Sequence, residues 1–385
     1  MWRLSDTLVE EFTKTLEESM NAIKKAVESL KGEKEFWREM PEPVKCRGYG
    51  VDGSRGTERR SGVVAYAVSG VAVGEDILEM HDVAAMKTYK HVNERIRLHM
   101  ALMELRAGAM VDDAEIVLMD GTLSGTVIRP PAYVTDNRTY PMVASLYDFD
   151  NLVDDFVEVL DNHWWVEIER DVRKGITQRP SLLSRSPYFD KFEEGYRTGK
   201  KDDKDNLRVL LEYVEYLHAF NKLFDKDWTV VSVAKTFYTN EFVDIPGLMD
   251  APVLEMLAYD QFEEERAAYV FFNYRKIDKR IPRLAQRFNN VKTLLDRLRA
   301  AYARFTDFGN IYLLESNYRI DDDLMSKLMS LEADGYILPL IYAHKHAEIK
   351  KRELKKNISA LLDAAISSNP EYRLLLKYGR SPLEG

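Results

Sequence analysis

The chain is short of several things, and each shortage narrows its chemistry. Cys46 is the single cysteine among 385 residues. Neither an internal disulfide nor a multi-thiolate zinc site can therefore form within one chain, which fits a reducing compartment. No apolar run reaches about 18 residues, the length that reads as a bilayer-spanning helix, so no membrane partner is expected. A positive excess is also missing: 55 Lys and Arg stand against 64 Asp and Glu, for a net charge of −9. Proteins that bind nucleic acid over a whole surface are basic, so any nucleic acid would have to enter a local basic channel. The start, Met1 to Glu11, is too charged for a secretory signal, and the cytoplasm is the expected location. What remains, 45% hydrophobic and 31% charged residues, describes a globular protein large enough for one domain with insertions, or for two.

What is there is organised by three acids. Asp52 stands in Gly50-Val-Asp-Gly-Ser54 and Asp120 in Val117-Leu-Met-Asp-Gly-Thr122. Each ends a short apolar run and is followed by Gly and a hydroxyl residue. Glu104, in Leu102-Met-Glu-Leu105, lies between them. The helical pattern of residues 90–110 gives Glu104 the neighbours Met100, Ala101, Ala107 and Gly108. An unpaired carboxylate on such an apolar surface is costly, and a metal or a basic partner would relieve it. The bland reading is a rim glutamate paired with an arginine.

The order of elements around these acids predicts a fold. Residues 4–31 carry Leu4, Leu8, Phe12, Leu16, Met20, Ile23, Ala26 and Leu30 at helical spacing. A weakly marked strand runs from Lys45 to Asp52, followed by a Gly- and Arg-rich turn region to Gly62. Ser61 to Val73 and Ile77 to Ala85 read as strands of an antiparallel meander. After the helix, Glu115 to Met119 forms a fourth strand. The first and fourth strands can then lie side by side and parallel, with Asp52 and Asp120 at their carboxyl ends, where open α/β sheets place their sites. This is the layout of a ribonuclease H-like fold: α/β, a mixed five-stranded sheet core with a mainly helical insertion and terminal helices.

The rest of the chain is less specific. Residues 130–227 read as mostly helical, with loop signals at Pro130-Pro-Ala132 and Pro141. Arg170, Arg173, Lys174, Arg179 and Arg185 form a candidate basic strip or a solvated loop. Trp164 and Trp165 read as core or interface. Thr229 to Ala234 is a fifth strand, and Lys235 leaves its end where it could contact a phosphate. Tyr269 to Tyr274 and Asn310 to Leu314 read as strands, with a helix from Arg283 to Phe305 between them. Asp321, Asp322 and Asp323 cap a helix. A last long helix starts near Pro339 and runs through His344 and His346 towards Ser367, and the tail 377–385 reads as loose. The expected divisions are 1–40 as an N-terminal helix for a dimer or partner contact, 41–135 as the first half of the core, 136–227 as the insertion and 228–385 as the second half.

With Val51-Asp-Gly-Ser54, Glu104, Leu118-Met-Asp-Gly-Thr122 and the late segment Gly335-Tyr-Ile-Leu-Pro-Leu-Ile-Tyr-Ala-His344 in this order, the sequence resembles the archaeal and bacterial NurA nuclease family. The resemblance implies a manganese-preferring DNA nuclease, with magnesium as the alternative ion; phosphodiester hydrolysis itself suits two ions per site. It would act on single- and double-stranded DNA ends as a 5′-to-3′ exonuclease and single-strand endonuclease. It would be a toroidal homodimer working with the hexameric HerA ATPase in end resection, double-strand break repair and homologous recombination. Asp52, Glu104 and Asp120 would take the metal positions, and Tyr336 and His344 the late active-site positions, with His344 as a ligand or proton donor. Thr122 stands where the family commonly has Ser. Arg55, Arg59, Arg60 and Lys235 are candidate phosphate contacts. Two rival readings stay open: an inactive ribonuclease H-like scaffold for DNA or an ATPase, and an unrelated α/β enzyme in which Asp-Gly merely makes turns.

Overall fold

The computed structural model describes residues 5–30, 37–88, 91–128, 138–272 and 282–376. The Pro130–Ala132 loop and the tail from 377 lie outside them, as do the ends of three expected elements, at Leu4 and Lys31, at Lys90 and at Asn273–Tyr274. In chain order the principal elements are α1 (Asp6–Leu30), β1 (Arg38–Glu39), β2 (Gly48–Arg59), β3 (Val63–Val73), β4 (Ile77–Lys87), α2 (Val92–Ala109), β5 (Ile116–Asp120), α3 (Lys204–Leu223), β6 (Thr229–Ala234), α4 (Asp250–Phe262), β7 (Ala268–Phe272), β8 (Arg299–Arg304), β9 (Tyr312–Ser316), α5 (Leu338–Ala347) and α6 (Lys351–Ser368). The protein is mixed α/β. It divides into two compact units, each assembled from three stretches of chain: Met1–Cys46, Val231–Asp278 and Leu298–Ile337 in one, and Arg47–Val230, Lys279–Arg297 and Leu338–Gly385 in the other.

The larger unit holds the motif strands. β3 pairs antiparallel with both β2 and β4, and β2 pairs parallel with β5 from Gly48↔Ile116 to Val51↔Met119. The parallel neighbours expected from sequence are thus present, and Asp52 and Asp120 are the next residues beyond their last pair. β3, Val-Val-Ala-Tyr-Ala-Val-Ser-Gly-Val-Ala-Val, is buried along nearly its whole length. A continuous apolar run suits a strand covered on both faces. On one face Ala65 and Ala67 meet Leu354 and Ile358 of α6, and Val71 and Val73 meet Ala343 and Ala347 of α5. On the other face Tyr66 reaches His99 of α2. α2 is itself covered by α3, and the two are joined by buried ion pairs of Arg95 with Glu212 and of Arg106 with Glu215, with His99 Nε2 3.1 Å from Glu212.

The smaller unit carries β1-β7-β8-β9-β6 in that order, with antiparallel pairs between β1 and β7, β7 and β8, β8 and β9, and β9 and β6. Its core gathers Ala26 and Val27 of α1, Val253, Leu254 and Leu257 of α4, and Val270 and Tyr302 from the sheet. The first part of α1 is not part of that core: Leu8, Phe12, Leu16 and Met20 are exposed.

Four sequence expectations are corrected. The Gly- and Arg-rich stretch after Asp52 is no turn; β2 continues to Arg59, paired residue for residue with β3 up to Arg59↔Val64. The helix expected over 283–305 is a short helix, Asn289–Arg297, followed by β8. Ala300, Ala301, Tyr302 and Ala303 are strand because β7 and β9 flank them, a tertiary context that overrides alanine's helical preference. The last long helix is two helices, broken where strand serines hold the backbone: Ser69 Oγ donates to Ala347 O (2.6 Å) and Ile349 N–H donates to Ser54 Oγ (3.3 Å). The basic strip dissolves into local contacts. Arg173 bonds Asp112 and Glu169, Arg179 bonds Asp171, and Arg185 donates to Ala85 O while lying over Tyr66.

Candidate active site

The site is built on the two faces of β2. Successive strand residues point to opposite sides, so Gly50, Asp52 and Ser54 face α5 and α6 while Gly53, Arg55 and Arg59 face α2. A Cβ on Gly50 would lie 2.2 Å from the Pro339 carbonyl carbon. Only glycine lets the start of α5 sit this close to the strand, and that closeness delivers His344 to Asp52. His344 Nδ1 lies 2.6 Å from Asp52 Oδ2, and the Gly53 N–H donates to Asp52 Oδ1 at 2.8 Å. Asp52 is buried, whereas 67% of the His344 side chain is exposed, so the imidazole can reach a bound molecule from solvent.

Asp52, Asp120 and His344 each offer a ligand atom, and these atoms lie within 4.8 Å of one another. Glu104 stands on the other side of Gly53. A Cβ on Gly53 would come within 2.6 Å of its Cγ and Oε1. Glu104 lies outside the 4.8 Å group but feels it. It keeps part of its surface open to solvent, yet its carboxyl is raised to about 8, first by burial and then by the charges of Asp52 and Asp120. Asp52 is raised as well, again by burial first, with His344 and the Gly53 N–H opposing and Asp120 adding. Three mutually repelling carboxyl groups with an imidazole are a hard-oxygen and nitrogen donor set that fits a divalent cation.

The other sequence-derived candidates are distributed as follows. Arg55 and Arg59 are exposed and hydrogen-bond Asn93 at the start of α2. Arg60 is taken up by an ion pair with Glu58, with both side chains largely buried, so it is withdrawn as a phosphate contact. Tyr336 and Lys235 belong to the smaller unit, where the Lys235 ammonium stands 4.6 Å from the centroid of the buried Tyr336 ring. His346 turns away from His344 and bonds Glu79 Oε1 at 3.2 Å. Sequence reasoning missed Gly50 and Gly53 as packing positions. A signal was available, since glycine inside a strand marks close approach of another backbone or side chain; for Gly53 it was masked by reading the stretch after Asp52 as a turn.

Known proteins bear on this geometry. The chain is similar to the DNA double-strand break repair nuclease NurA of Pyrococcus furiosus, 28% identical over 99% of each chain. It is also similar to an uncharacterized protein of Methanocaldococcus jannaschii, 26% identical over 90% of each. A crystal structure of NurA bound to dAMP and manganese superposes with a TM-score of 0.78 at 25% identity, over 94% of this chain and 98% of that one. The NurA nuclease of Sulfolobus solfataricus shares the fold, with a TM-score of 0.60 at 17% identity over 95% of this chain and 98% of that one. The model of the NurA domain matches residues 46–349, from just before β2 to just after α5. Strands, acids and late histidine thus fall within one matched span, and the chain belongs to the NurA domain family.

Proposed function

We propose that this protein is a divalent-metal-dependent deoxyribonuclease that hydrolyses phosphodiester bonds at DNA ends. The observation that carries this reading is the convergence of Asp52, Asp120 and His344 donor atoms within 4.8 Å, with the Glu104 carboxyl raised by burial and then by the two aspartates beside it. Asp52, Asp120, Glu104 and His344 would hold the metal, with room in this donor set for one ion or two. Manganese is the ion of choice by likeness to the manganese-bound NurA structure, with magnesium as an alternative. When bound, such ions supply Lewis-acid stabilisation of the charge that develops on the phosphate and activate water.

The chain's own residues do the remaining work. The Gly53 N–H fixes one Asp52 oxygen and leaves the other towards His344. His344 is placed to hold a ligand or to give a proton to the leaving oxygen. Tyr336 is assigned to holding a phosphate or stacking on a base, and Lys235, Arg55 and Arg59 to phosphate contacts. The family likeness adds a 5′-to-3′ exonuclease and single-strand endonuclease activity, a homodimer, a HerA-type hexameric ATPase partner and a role in end resection and break repair; a cytoplasmic location follows from the single cysteine and charged start of the sequence. No helix among the described residues is long and apolar enough to cross a membrane. The test is incubation of the purified protein with linear DNA labelled at either end, with manganese, magnesium or chelator. Metal-dependent shortening is expected. DNA binding without cleavage, alone and with a HerA-type ATPase added, would replace the nuclease by a scaffold.

A further inference from the structure

Beside the metal cluster, α2 and the outer half of β2 carry arginines whose charge is out of keeping with the protein. The overall balance is −9, and most arginines of the larger unit meet a carboxylate. Arg55, Arg59 and Arg97 do not: none of them makes an ion pair among the described residues. Arg55 donates to Asn93 O (3.3 Å) and Arg59 to Asn93 Oδ1 (2.9 Å). Arg97 is exposed and stands one helical turn after Asn93, on the same stripe of α2. It is close enough to Arg55 for the two positive charges to oppose each other, after burial, in lowering the Arg55 guanidinium.

Two periodicities place these groups on the Glu104 side of β2. Arg55 and Arg59 share the α2-facing side of β2 with Gly53, against which Glu104 rests. Asn93, Arg97 and Glu104 share one face of α2, since 93 to 97 is one turn and 97 to 104 is two. Like charges brought together without a counter-ion on a partly dry surface cost free energy unless an anion joins them. Their spacing also matches a polymer of phosphates. Along the strand Arg55 is three residues from Asp52, about 10 Å, and Arg59 is seven, about 23 Å. Phosphates of one DNA strand repeat at about 3.4 Å along the duplex axis.

We propose that Arg97, together with Arg55 and Arg59, forms a phosphate track that leads away from the metal cluster and grips the DNA backbone about three to seven nucleotides from the cleaved bond. Asn93 is the positioning residue that holds the two strand arginines. The track rests on the nuclease reading but is separable from it. It acts on grip and not on bond breaking, and Arg97, a residue of the α2 stripe, becomes a determinant of affinity.

The test is the salt dependence of binding to a labelled duplex of about 20 base pairs in chelator, for the wild-type protein, Arg97→Ala and Arg97→Lys, with manganese-dependent kinetics alongside. Each phosphate contact contributes a slope of about −0.9 to log affinity against log salt. Arg97→Ala should therefore lose about 0.9 of slope, and its deficit against wild type should shrink about threefold between 50 and 200 mM salt. KM should rise with kcat at saturating DNA unchanged, and Arg97→Lys should keep the wild-type slope. An unchanged slope in Arg97→Ala overturns the track and leaves the nuclease standing. A wild-type protein that neither binds nor cleaves DNA overturns both.

Discussion

Glu104 shows how much a single residue can report. Its carboxyl, at about 8, lies well above its ordinary value of 4.5, through burial first and then Asp52 and Asp120. In the metal-free protein a group raised in this way contributes stability that is whole below about 4.5 and is lost as pH rises through about 8. Metal-free Glu104→Gln should therefore match wild type in urea denaturation near pH 4.5. It should exceed wild type by roughly 1–3 kcal/mol above pH 8, the usual scale for a buried, unsatisfied polar group. Equal stabilities at both pH values would remove the electrostatic strain from the account. Glu104 was legible in the sequence because a carboxylate on an apolar helical stripe is anomalous. Asp52 and Asp120 were legible because each ends an apolar run. Arg97 was not, since an exposed arginine on a helix is ordinary until the strand arginines opposite it are known.

At the scale of elements, β2 governs the site, and its far half was the part misread. Gly53 and Gly56 suggested a turn, whereas they sit where Glu104 and Leu354 press on the strand. Gly50 does the same for α5. Gly50→Ala should cost about 1–3 kcal/mol of stability through overpacking. Because the strain falls at the start of the helix that carries His344, cleavage should drop about a hundredfold, the usual effect of a misplacement of about 1 Å. Thermal unfolding and single-turnover cleavage would separate the two effects. Behind the site, α3 holds α2 in register. Glu212 Oε2 lies 2.8 Å from Arg95 Nε and 3.1 Å from His99 Nε2. Burial raises the Glu212 carboxyl, but His99 and Arg95 outweigh it and hold it well below its ordinary value. Glu212→Gln should destabilise by about 3–5 kcal/mol, because Arg95 and His99 lose a fully buried partner. A denaturant midpoint unchanged by this substitution would contradict the structural role. None of this pairing could be read from periodicity, which reports which face is apolar and not which charges meet beneath it.

For the whole molecule, the order strand, meander, helix, strand was enough to place the two aspartates on parallel neighbours, and the structure has that arrangement. The division into two units was not legible. Each unit is assembled from three separated stretches, and local patterns do not record long-range pairing. If Asp52, Glu104, Asp120 and His344 hold the metal through which this acidic protein cuts DNA, neutralising either aspartate should stop cleavage. The most direct measurement is the manganese dependence of DNA cleavage by wild type, Asp52→Asn and Asp120→Asn, each first shown to be folded and to bind DNA. The account predicts that both variants bind DNA yet lose cleavage by roughly a hundredfold or more at every manganese concentration. Cleavage by Asp52→Asn at the wild-type rate would contradict it.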